Sequence, residues 1–395
     1  MTTELRESRI TGTAAVAAAA YAFAITMVGT TLPTPLYSLY QRKFGFSELM
    51  ITVIFAVYAG GVIAALLLFG KLSDQVGRRP VLLMGLGFSA LSAVAFVIAN
   101  GLGLLLLGRV LSGFSAGVFT GTATATIVDL MGPERRGRAT LIATVANIGG
   151  LGCGPLLAGI VAQWGTDPLQ LTFWIDLALL VPAALAILAL PEPVASRGRP
   201  KLRVQPLRVP PEVRPIFVRA SLAGFAGFAV LGLTTAVSPA FLASVGVTSP
   251  AIVGLVVFGV FAASTGGQLL LQVMPDARAL PAGLVGLIIG MGVLAAGLAA
   301  SSLALLITGA VIAGAGQGLS FRSALAAVNQ ASPPEQRAEI ASSFFVVAYV
   351  AISLPVIGEG VLAQSAGLTT AGIVFAGAVA ALAGVVLMLL ARPRA

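Results

Sequence analysis

Twelve apolar runs, each long enough to cross a bilayer, limit what this sequence can fold into. A membrane-spanning helix needs roughly 20 consecutive, mostly apolar residues. Hydrocarbon offers the backbone no hydrogen bonds, so each run must satisfy its own amides and carbonyls by forming a helix. The sequence therefore predicts an all-α membrane protein with spans at about 13–36, 48–69, 80–99, 102–127, 138–163, 170–190, 216–243, 250–273, 281–300, 303–326, 338–363 and 368–391.

The residue types present exclude several classes of protein. Hydrophobic residues make up 58% of the 395 residues and charged residues only 9%, far from the usage of soluble domains. The chain has no histidine and one cysteine, Cys153, so we expect no disulfide framework, no metal site and no enzyme activity. The net charge of +9 does not predict nucleic-acid binding, because the cations lie in short loops between apolar spans.

The basic residues predict which side of the membrane each loop faces. All Lys and Arg residues except Arg42, Lys43, Arg109 and Arg322 fall at one face of the twelve-span arrangement. Cytoplasmic loops are enriched in Lys and Arg, so this face and both termini are predicted to be cytoplasmic. We expect a multi-pass protein of the inner (cytoplasmic) membrane whose first span stays uncleaved, because no small-residue cleavage site stands out.

An internal repeat relates the two halves of the chain. Shifting the first half by 201 residues aligns Pro80 with Pro281, Gly85 with Gly286, Gly108 with Gly309, Gly113 with Gly314, Gly117 with Gly318, Pro133 with Pro334, Glu134 with Glu335 and Arg136 with Arg337. The repeat predicts two six-helix bundles, 1–190 and 216–395, joined by a cytoplasmic linker at 191–215. The basic residues of the linker could also attract anionic lipids.

The repeat is informative where it fails. Arg109 aligns with Ala310, and Asp129 aligns with Gln330. Packing alone would use both copies alike, so a charge kept in one copy is a candidate for function.

A short charged loop, GKLSDQVGRRP at residues 70–80, separates spans 2 and 3. Its glycines, acid and double arginine resemble the loop between helices 2 and 3 of the major facilitator superfamily of secondary transporters. The resemblance implies that Asp74 and Arg78 join Asp129, at the end of span 4, in a charge cluster that latches the cytoplasmic side while the transporter is open outward. The alternatives are that the loop cations only fix the topology and that Asp129 is an ordinary interfacial acid.

The resemblance covers essentially the whole chain and implies a fold and a mode of action. The expected fold is the major facilitator fold, in which two six-helix bundles related by pseudo-two-fold symmetry enclose a central cavity. The expected action is alternating access for a small-molecule substrate, with protons as the coupling partner and no cofactor beyond the proton gradient. We expect a monomer in the lipid bilayer.

Arg109 lies inside span 4, in the sequence GRVLSGFSAG at residues 108–117, which looks like a second motif of the superfamily. Arginine keeps its charge, and a charge inside a span costs about 3 kcal/mol or more unless it faces water or a partner. We therefore expect Arg109 to face the cavity, where the resemblance implies that it senses the proton on a nearby carboxylate. The alternative is that it snorkels to the nearer membrane surface.

Span 5 contains the sequence GGLGCGPLLAG at residues 149–159. Its spacing resembles the motif that marks drug/proton antiporters within the superfamily, carried here by Gly150, Gly154, Pro155 and Gly159. Proline removes a backbone hydrogen bond and bends the helix, and a glycine-lined face permits a close crossing that can seal and reopen the cavity. This motif favours export over import, although glycine and proline are also common in ordinary membrane helices.

Two acids inside the spans are candidates for the proton site, Asp176 in span 6 and Glu359 in span 11. Many drug antiporters of this superfamily carry such an acid on helix 1, 7 or 10, and this sequence has none there. In a chain without histidine, carboxylates must exchange the proton. We favour Asp176, with Arg109 and Glu359 as further participants; the alternative is that either acid caps a helix near the interface.

The order of the helices suggests which side chains line the cavity. We expect Tyr21, Tyr37, Asn147, Phe225, Phe228, Gln268, Gln317, Arg322 and Tyr349. Arg322 could meet an anionic substrate or snorkel to the cytoplasm. The sequence thus predicts proton-coupled efflux of small amphiphilic compounds such as antibiotics, and the alternative is a facilitator or proton symporter for a sugar or other small metabolite.

Overall fold

The computed structural model describes residues 10–193, 207–271, 273–333 and 336–391. Every regular element in these ranges is helical, and twelve helices within them are long and apolar enough to cross a membrane. The prediction of an all-α membrane protein with twelve spans is confirmed. The two chain ends and residues 194–206, which form most of the predicted linker, lie outside the described residues.

The helices follow one another with short connections. In chain order they are α1 (Gly12–Thr31), α2 (Tyr37–Phe44), α3 (Glu48–Phe69), α4 (Ser73–Val76), α5 (Arg78–Val97), α6 (Leu102–Met131), α7 (Arg136–Thr144), α8 (Gly150–Trp164), α9 (Pro168–Ala189), α10 (Arg214–Ser244), α11 (Pro250–Leu270), α12 (Asp276–Ala299), α13 (Leu303–Ala331), α14 (Arg337–Ala366) and α15 (Leu368–Ala391). A 3₁₀ turn at Thr34–Leu36 joins α1 to α2, and a π-helical turn at Val145–Gly149 joins α7 to α8. The first and fifth spans are therefore each built from two helical pieces.

The first span is longer than the sequence predicts. Pro33 and Pro35 fall at the start of the 3₁₀ turn, where a missing backbone N–H costs no hydrogen bond. The chain therefore continues helically through α2 and stops at Gly45, whose φ of 71° suits glycine. This extension carries the side chains of α2 beyond the predicted end of the span.

The repeated glycines bring equivalent helices into close contact in each half. Gly113 of α6 lies against the backbone of Tyr58 and Gly61 in α3, and Gly314 of α13 lies against Val260 in α11. A Cβ at either glycine would overlap a carbonyl oxygen of the neighbouring helix. Small residues permit such an approach between membrane helices. Span 4 packs on span 2 as span 10 packs on span 8, which is the relation that the repeat implies.

Each half contributes its own buried apolar core. One cluster is built mainly from residues 213–386 and another from residues 15–190. The halves meet along two sides, where α3 packs on α14 and α8 packs on α11. We call the membrane face that carries residues 70–77 and 132–135 the loop face. At the opposite face, α2 and the 3₁₀ turn pack against α10, so that the two halves are also in contact there.

Candidate functional site

A cavity of about 360 Å³ lies between the two halves. Helices α1, α3, α6, α7 and α8 line it from one side, and α10, α11, α13 and α14 from the other. The lining extends from the deeply buried Arg109 to the exposed Arg136, which directly follows the 132–135 turn. The cavity therefore opens toward the loop face. Its volume is in the range typical of sites for drug-sized molecules.

Arg109 is among the most deeply buried side chains of the protein. It is only 1% exposed, and its guanidinium lines the cavity instead of snorkelling to the membrane surface. Its Nη1 donates a hydrogen bond to the carbonyl oxygen of Thr30 in α1, at 2.6 Å. The guanidinium carbon lies 4.4 Å from the ring centroid of Tyr58, a distance typical of a cation–π contact. The Nε atom has no hydrogen-bond partner among the described residues.

Five of the nine side chains predicted to line the cavity do so: Asn147, Phe228, Gln268, Arg322 and Tyr349. The ring of Tyr349 makes edge contacts with Tyr58 and Phe228, with centroid distances of 6.4 and 6.2 Å. Nη1 of Arg322 donates to the carbonyl oxygen of Gln268, at 3.2 Å. This bond holds the guanidinium of Arg322 against α11 at the cavity wall.

The other four lie elsewhere, which corrects the prediction. Tyr21 donates its hydroxyl to a carbonyl of α9, at 3.2 Å. Phe225 packs on the core of the second half. Gln317 is fully buried and its Oε1 accepts a hydrogen bond from Ser264, at 2.6 Å. Tyr37 lies near the opposite face, because the first span extends beyond its predicted end. Residue type alone therefore does not predict which side chains of a helix point into the cavity.

Threonines occupy seven positions of the cavity wall and were not predicted. The lining threonines are Thr30, Thr31, Thr120, Thr124, Thr140, Thr144 and Thr235. Several donate to the carbonyl four residues earlier, as Thr120 does to Ala116 at 2.8 Å. Thr120 and Thr124 are four residues apart on α6, and Thr140 and Thr144 are four apart on α7. Residues four apart lie on one face of a helix, so this spacing could have indicated that these threonines face the cavity together.

Asp176 does not line the cavity. It lies on α9, is 2% exposed, and its carboxylate sits against Gly29 of α1, where a Cβ would come within 2.9 Å of Oδ2. Its Oδ1 atom has no hydrogen-bond partner among the described residues. The acid is therefore buried behind α1, and its role in proton coupling stays a prediction.

Glu359 belongs to a second, smaller cavity near the opposite face. This cavity has a volume of about 160 Å³ and is also lined by Tyr37 and Glu48. Glu359 is 4% exposed, and its Oε1 has no partner within the described part of the chain. Helices of both halves, α3 and α14 among them, form the walls. Both predicted proton acids thus lie outside the central cavity.

The predicted charge cluster is present at the loop face. Arg78 donates from Nη1 to Asp74 Oδ1 at 2.6 Å and from Nε to Asp129 Oδ2 at 3.0 Å. It also donates to Ser73 Oγ at 2.7 Å. All four residues belong to the first half, and their contacts form while the cavity is open at this face. The role of the cluster as a latch stays a prediction.

Two further contacts extend the cluster and were not predicted. The carboxylate of Glu192 accepts hydrogen bonds from the backbone N–H groups of Arg78 and Arg79, at 2.8 and 2.9 Å. It thereby satisfies the first free amides of α5. Lys71 forms an ion pair with Glu339 of α14, with 3.7 Å between Nζ and Oε2. This pair connects the loop of the first half to the second half.

The glycine and proline motif of span 5 lies where α8 crosses two neighbouring helices. A Cβ at Gly154 would overlap Val28 of α1, and one at Gly159 would overlap Pro250 of α11. Across the same interface, Gly254 of α11 lies against the carbonyl oxygen of Pro155. The π-helical turn at Val145–Gly149 directly precedes this crossing. Pro155 and Gly159 of the motif thus lie at one of the two seams between the halves, whereas Gly150 and Gly154 lie against α1 of the same half.

The arrangement defines a class of protein: a multi-pass membrane protein whose helical halves enclose a central cavity that opens to one face. The family model of the Major Facilitator Superfamily matches residues 15–291. The chain belongs to this superfamily, as its motifs predict.

Sequence relatives match only parts of the chain. It is 30% identical over 156 residues to an uncharacterised transporter of Schizosaccharomyces pombe, covering 39% of this chain and 32% of that protein. It is 32% identical over 139 residues to a triacylglyceride transporter of Mycolicibacterium smegmatis, covering 35% and 24%. It is 31% identical over 144 residues to the multidrug resistance protein MdtL of Escherichia coli, covering 36% and 35%. The matches span about a third or less of each relative.

Solved structures match almost the whole chain. A bacterial homologue of the human lysosomal transporter Spinster, inward-facing and unoccupied, superposes with a TM-score of 0.72 at 17% identity, covering 95% of this chain and 97% of that chain. The human organic anion transporter MFSD10 superposes with a TM-score of 0.69 at 18% identity, covering 95% and 99%. At such identities the likeness shows the fold alone, and the predicted major facilitator fold is confirmed.

Proposed function

We propose that this protein exports small amphiphilic compounds across the cytoplasmic membrane by alternating access, in exchange for protons. The observation that carries the proposal is the central cavity, which lies between the halves and whose wall combines aromatic rings with hydroxyl groups. An exporter has to collect such compounds on the cytoplasmic side. The positive charges of the loops favour a cytoplasmic position for the loop face. A cavity that opens at this face can take up compounds from the cytoplasm.

The seam between α8 and α11 supports the antiporter mode. Closing the cavity at one face and opening it at the other requires the halves to rock about their contacts. At the glycines of this seam the backbones of α8 and α11 touch directly. No bulky side chain therefore has to be displaced when the two helices move against each other. The name of the MdtL relative, a multidrug resistance protein, agrees with this direction of transport.

The proton gradient supplies enough free energy without another cofactor. One proton crossing a potential of about 100 mV releases about 2.3 kcal/mol. This corresponds to a roughly fifty-fold gradient of an uncharged solute. Asp176, Arg109 and Glu359 are the proposed coupling residues, with Asp176 carrying the proton, and a single copy of the chain is expected to suffice.

A facilitator or proton symporter for a sugar or other metabolite is the second candidate. The seven threonines and two asparagines of the cavity wall favour it, because polar metabolites are recognised by hydrogen bonds. Such a transporter would move its substrate inward with protons or without them.

Transport into vesicles of opposite orientation separates the two candidates. Inside-out vesicles that acidify their lumen should accumulate a member of a panel of radiolabelled amphiphiles with negative, zero or positive charge. Collapse of the gradient should abolish this accumulation. Uptake into right-side-out vesicles, driven by external acid, would instead establish symport, and uptake unaffected by the gradient would establish a facilitator.

A further inference from the structure

The charges of the central cavity are all of one sign. Its wall contains Arg109, Arg136 and Arg322, and none of the described residues that line it is an Asp or a Glu. The acids within the spans lie elsewhere, with Asp176 behind α1 and Glu359 in the smaller cavity. The described charged residues of the cavity wall are therefore all cationic, and membrane-spanning helices surround them.

Arg109 has no counter-ion in its present surroundings. Its contacts are the carbonyl oxygen of Thr30 and the rings of Tyr58 and Phe55, and no carboxylate of the described residues lies within ion-pair distance. A carbonyl dipole and an aromatic face offset only part of the cost of burying a full charge. Its Nε donor also remains unpartnered. An anion entering the cavity would supply the missing charge.

Arg322 is a second arginine of the cavity wall, and it lies at a different depth in the membrane. It is nine residues from the end of α13 at the loop face, whereas Arg109 is seven residues from the opposite end of α6. One hydrogen bond, to the carbonyl oxygen of Gln268, uses one of the five guanidinium N–H groups. The repeat aligns Arg322 with Gly121, which also lines the cavity, so the charge is kept in one copy only.

The rest of the wall suits an apolar body. Its aromatic residues are Phe55, Tyr58, Phe228, Phe261, Phe321, Phe345 and Tyr349. Rings of this kind provide large apolar contact areas. A ligand with one anionic group and an aromatic or aliphatic body would match both the arginines and the rings.

We propose that the central cavity selects amphiphilic organic anions, such as carboxylates, sulfonates and phosphate monoesters. The proposal rests on the proposed function in that it takes this cavity as the transport site. The anionic group would accept hydrogen bonds from Arg322 near the mouth or from Arg109 at the deepest point. Charge-assisted hydrogen bonds of this type are stronger than those between neutral groups.

The test is equilibrium binding to the purified full-length protein in nanodiscs of phosphatidylcholine, with no gradient present. Three ligands share one ring system and differ in charge: naphthalenesulfonate, naphthalenesulfonamide and naphthyltrimethylammonium. Isothermal titration calorimetry should show the anion binding at least about tenfold more tightly than the neutral amide. The cation should bind more weakly than both. Adding phosphatidylglycerol shows whether a lipid headgroup or a free anion is the better occupant, since a lipid occupant would compete with the sulfonate.

Variants locate the binding site. Of Arg322→Gln and Arg109→Gln, the variant that removes the arginine bonded to the sulfonate should lower sulfonate affinity about tenfold, and both should leave sulfonamide affinity unchanged. Arg322→Lys and Arg109→Lys keep the charge and should keep most of the preference, which also serves if a Gln variant fails to fold. The matched control is Arg138→Gln, because Arg138 is an exposed residue of α7 that does not line the cavity.

The outcomes that overturn the proposal are distinct. Equal binding of the three ligands, or tightest binding of the cation, would show that the positive wall does not select the substrate. An equal loss in Arg138→Gln would show that surface charge alone attracts the anion. None of these results bears on export, which the vesicle experiment measures with ligands of every charge. Conversely, absence of proton-driven export would leave the binding result intact.

Discussion

Asp176 and Arg109 contact adjacent residues of the same helix without touching each other. The carboxylate of Asp176 lies against Gly29, and the guanidinium of Arg109 donates to the carbonyl oxygen of Thr30, at 2.6 Å. The acid comes from α9 and the cation from α6, with α1 between them. Any effect of Asp176 on Arg109 would therefore be transmitted through α1.

Asp176→Asn should uncouple transport from the proton gradient. The amide has the shape of the acid and cannot release a proton, so accumulation into inside-out vesicles should fall at least about tenfold. The variant should still bind ligand in the cavity, because Asp176 does not line it. Stability should also be retained within about 1 kcal/mol, since Oδ1 has no partner to lose.

Glu359→Gln is the matched control for that experiment. It removes the other acid that is buried at span depth, in the smaller cavity of about 160 Å³. Retained coupling in this variant and lost coupling in Asp176→Asn would assign the proton to Asp176. The opposite result would assign it to Glu359, and full coupling in both variants would remove both acids from the mechanism.

The charge cluster at the loop face should respond unequally to removal of its members. Arg78 is only 11% exposed, whereas Asp129 is 33% and Asp74 is 60% exposed at their side chains. Exposed ion pairs contribute about 0–1 kcal/mol because water and salt screen them. Transport rates should therefore fall most in Arg78→Ala, less in Asp129→Asn and least in Asp74→Asn. Initial rates in vesicles measure this order, and undiminished transport in the Asp74→Ala, Arg78→Ala double variant would contradict a functional role.

The spans and the local motifs could be predicted because their signals are local. A run of apolar residues of sufficient length specifies a membrane helix. Likewise, Arg78 and Asp74 are only four residues apart, on either side of the helix break at Gly77, so a short local segment brings them together. Asp129 was added by resemblance, and the structure brings it to Arg78.

The cavity wall was harder to predict, because it depends on the rotation of each helix about its axis. Phe225 and Phe228 are three residues apart on α10, a spacing that places them on neighbouring positions of one helix face. Phe228 nevertheless lines the cavity, whereas Phe225 packs on the core. Glu192 meets Arg78 across 114 residues of sequence, and no local pattern indicates such a contact. Tyr37 was misplaced because the first span extends to Phe44.

Glu192→Ala should weaken the attachment of α9 to the start of α5. The carboxylate accepts two backbone N–H groups at the N-terminus of α5, where the helix dipole also favours a negative charge. Loss of such a cap costs about 0.5–2 kcal/mol. Thermal unfolding of the purified protein should show the loss, and Glu192→Gln should recover part of it. The control is Glu134→Ala, an exposed acid at the same face; an equal loss there would argue against a specific cap.

Gly254→Ala should both destabilise the protein and slow its transport. The new methyl group would overlap the carbonyl oxygen of Pro155 at the seam between α8 and α11. Overpacking a close crossing costs about 1–3 kcal/mol, because the helices must move apart. The midpoint of thermal unfolding and the initial transport rate in vesicles should therefore fall together.

The same substitution on the same helix provides the control. Gly259 of α11 has open space where its Cβ would lie, so Gly259→Ala should leave the unfolding midpoint unchanged or slightly raised. If Gly259→Ala transports at the normal rate and Gly254→Ala transports slowly, the effect arises at the crossing of α8 and α11. If both variants transported at the normal rate, close approach of α8 and α11 would not be required for alternation, and the glycine and proline motif of span 5 would have only a packing role here.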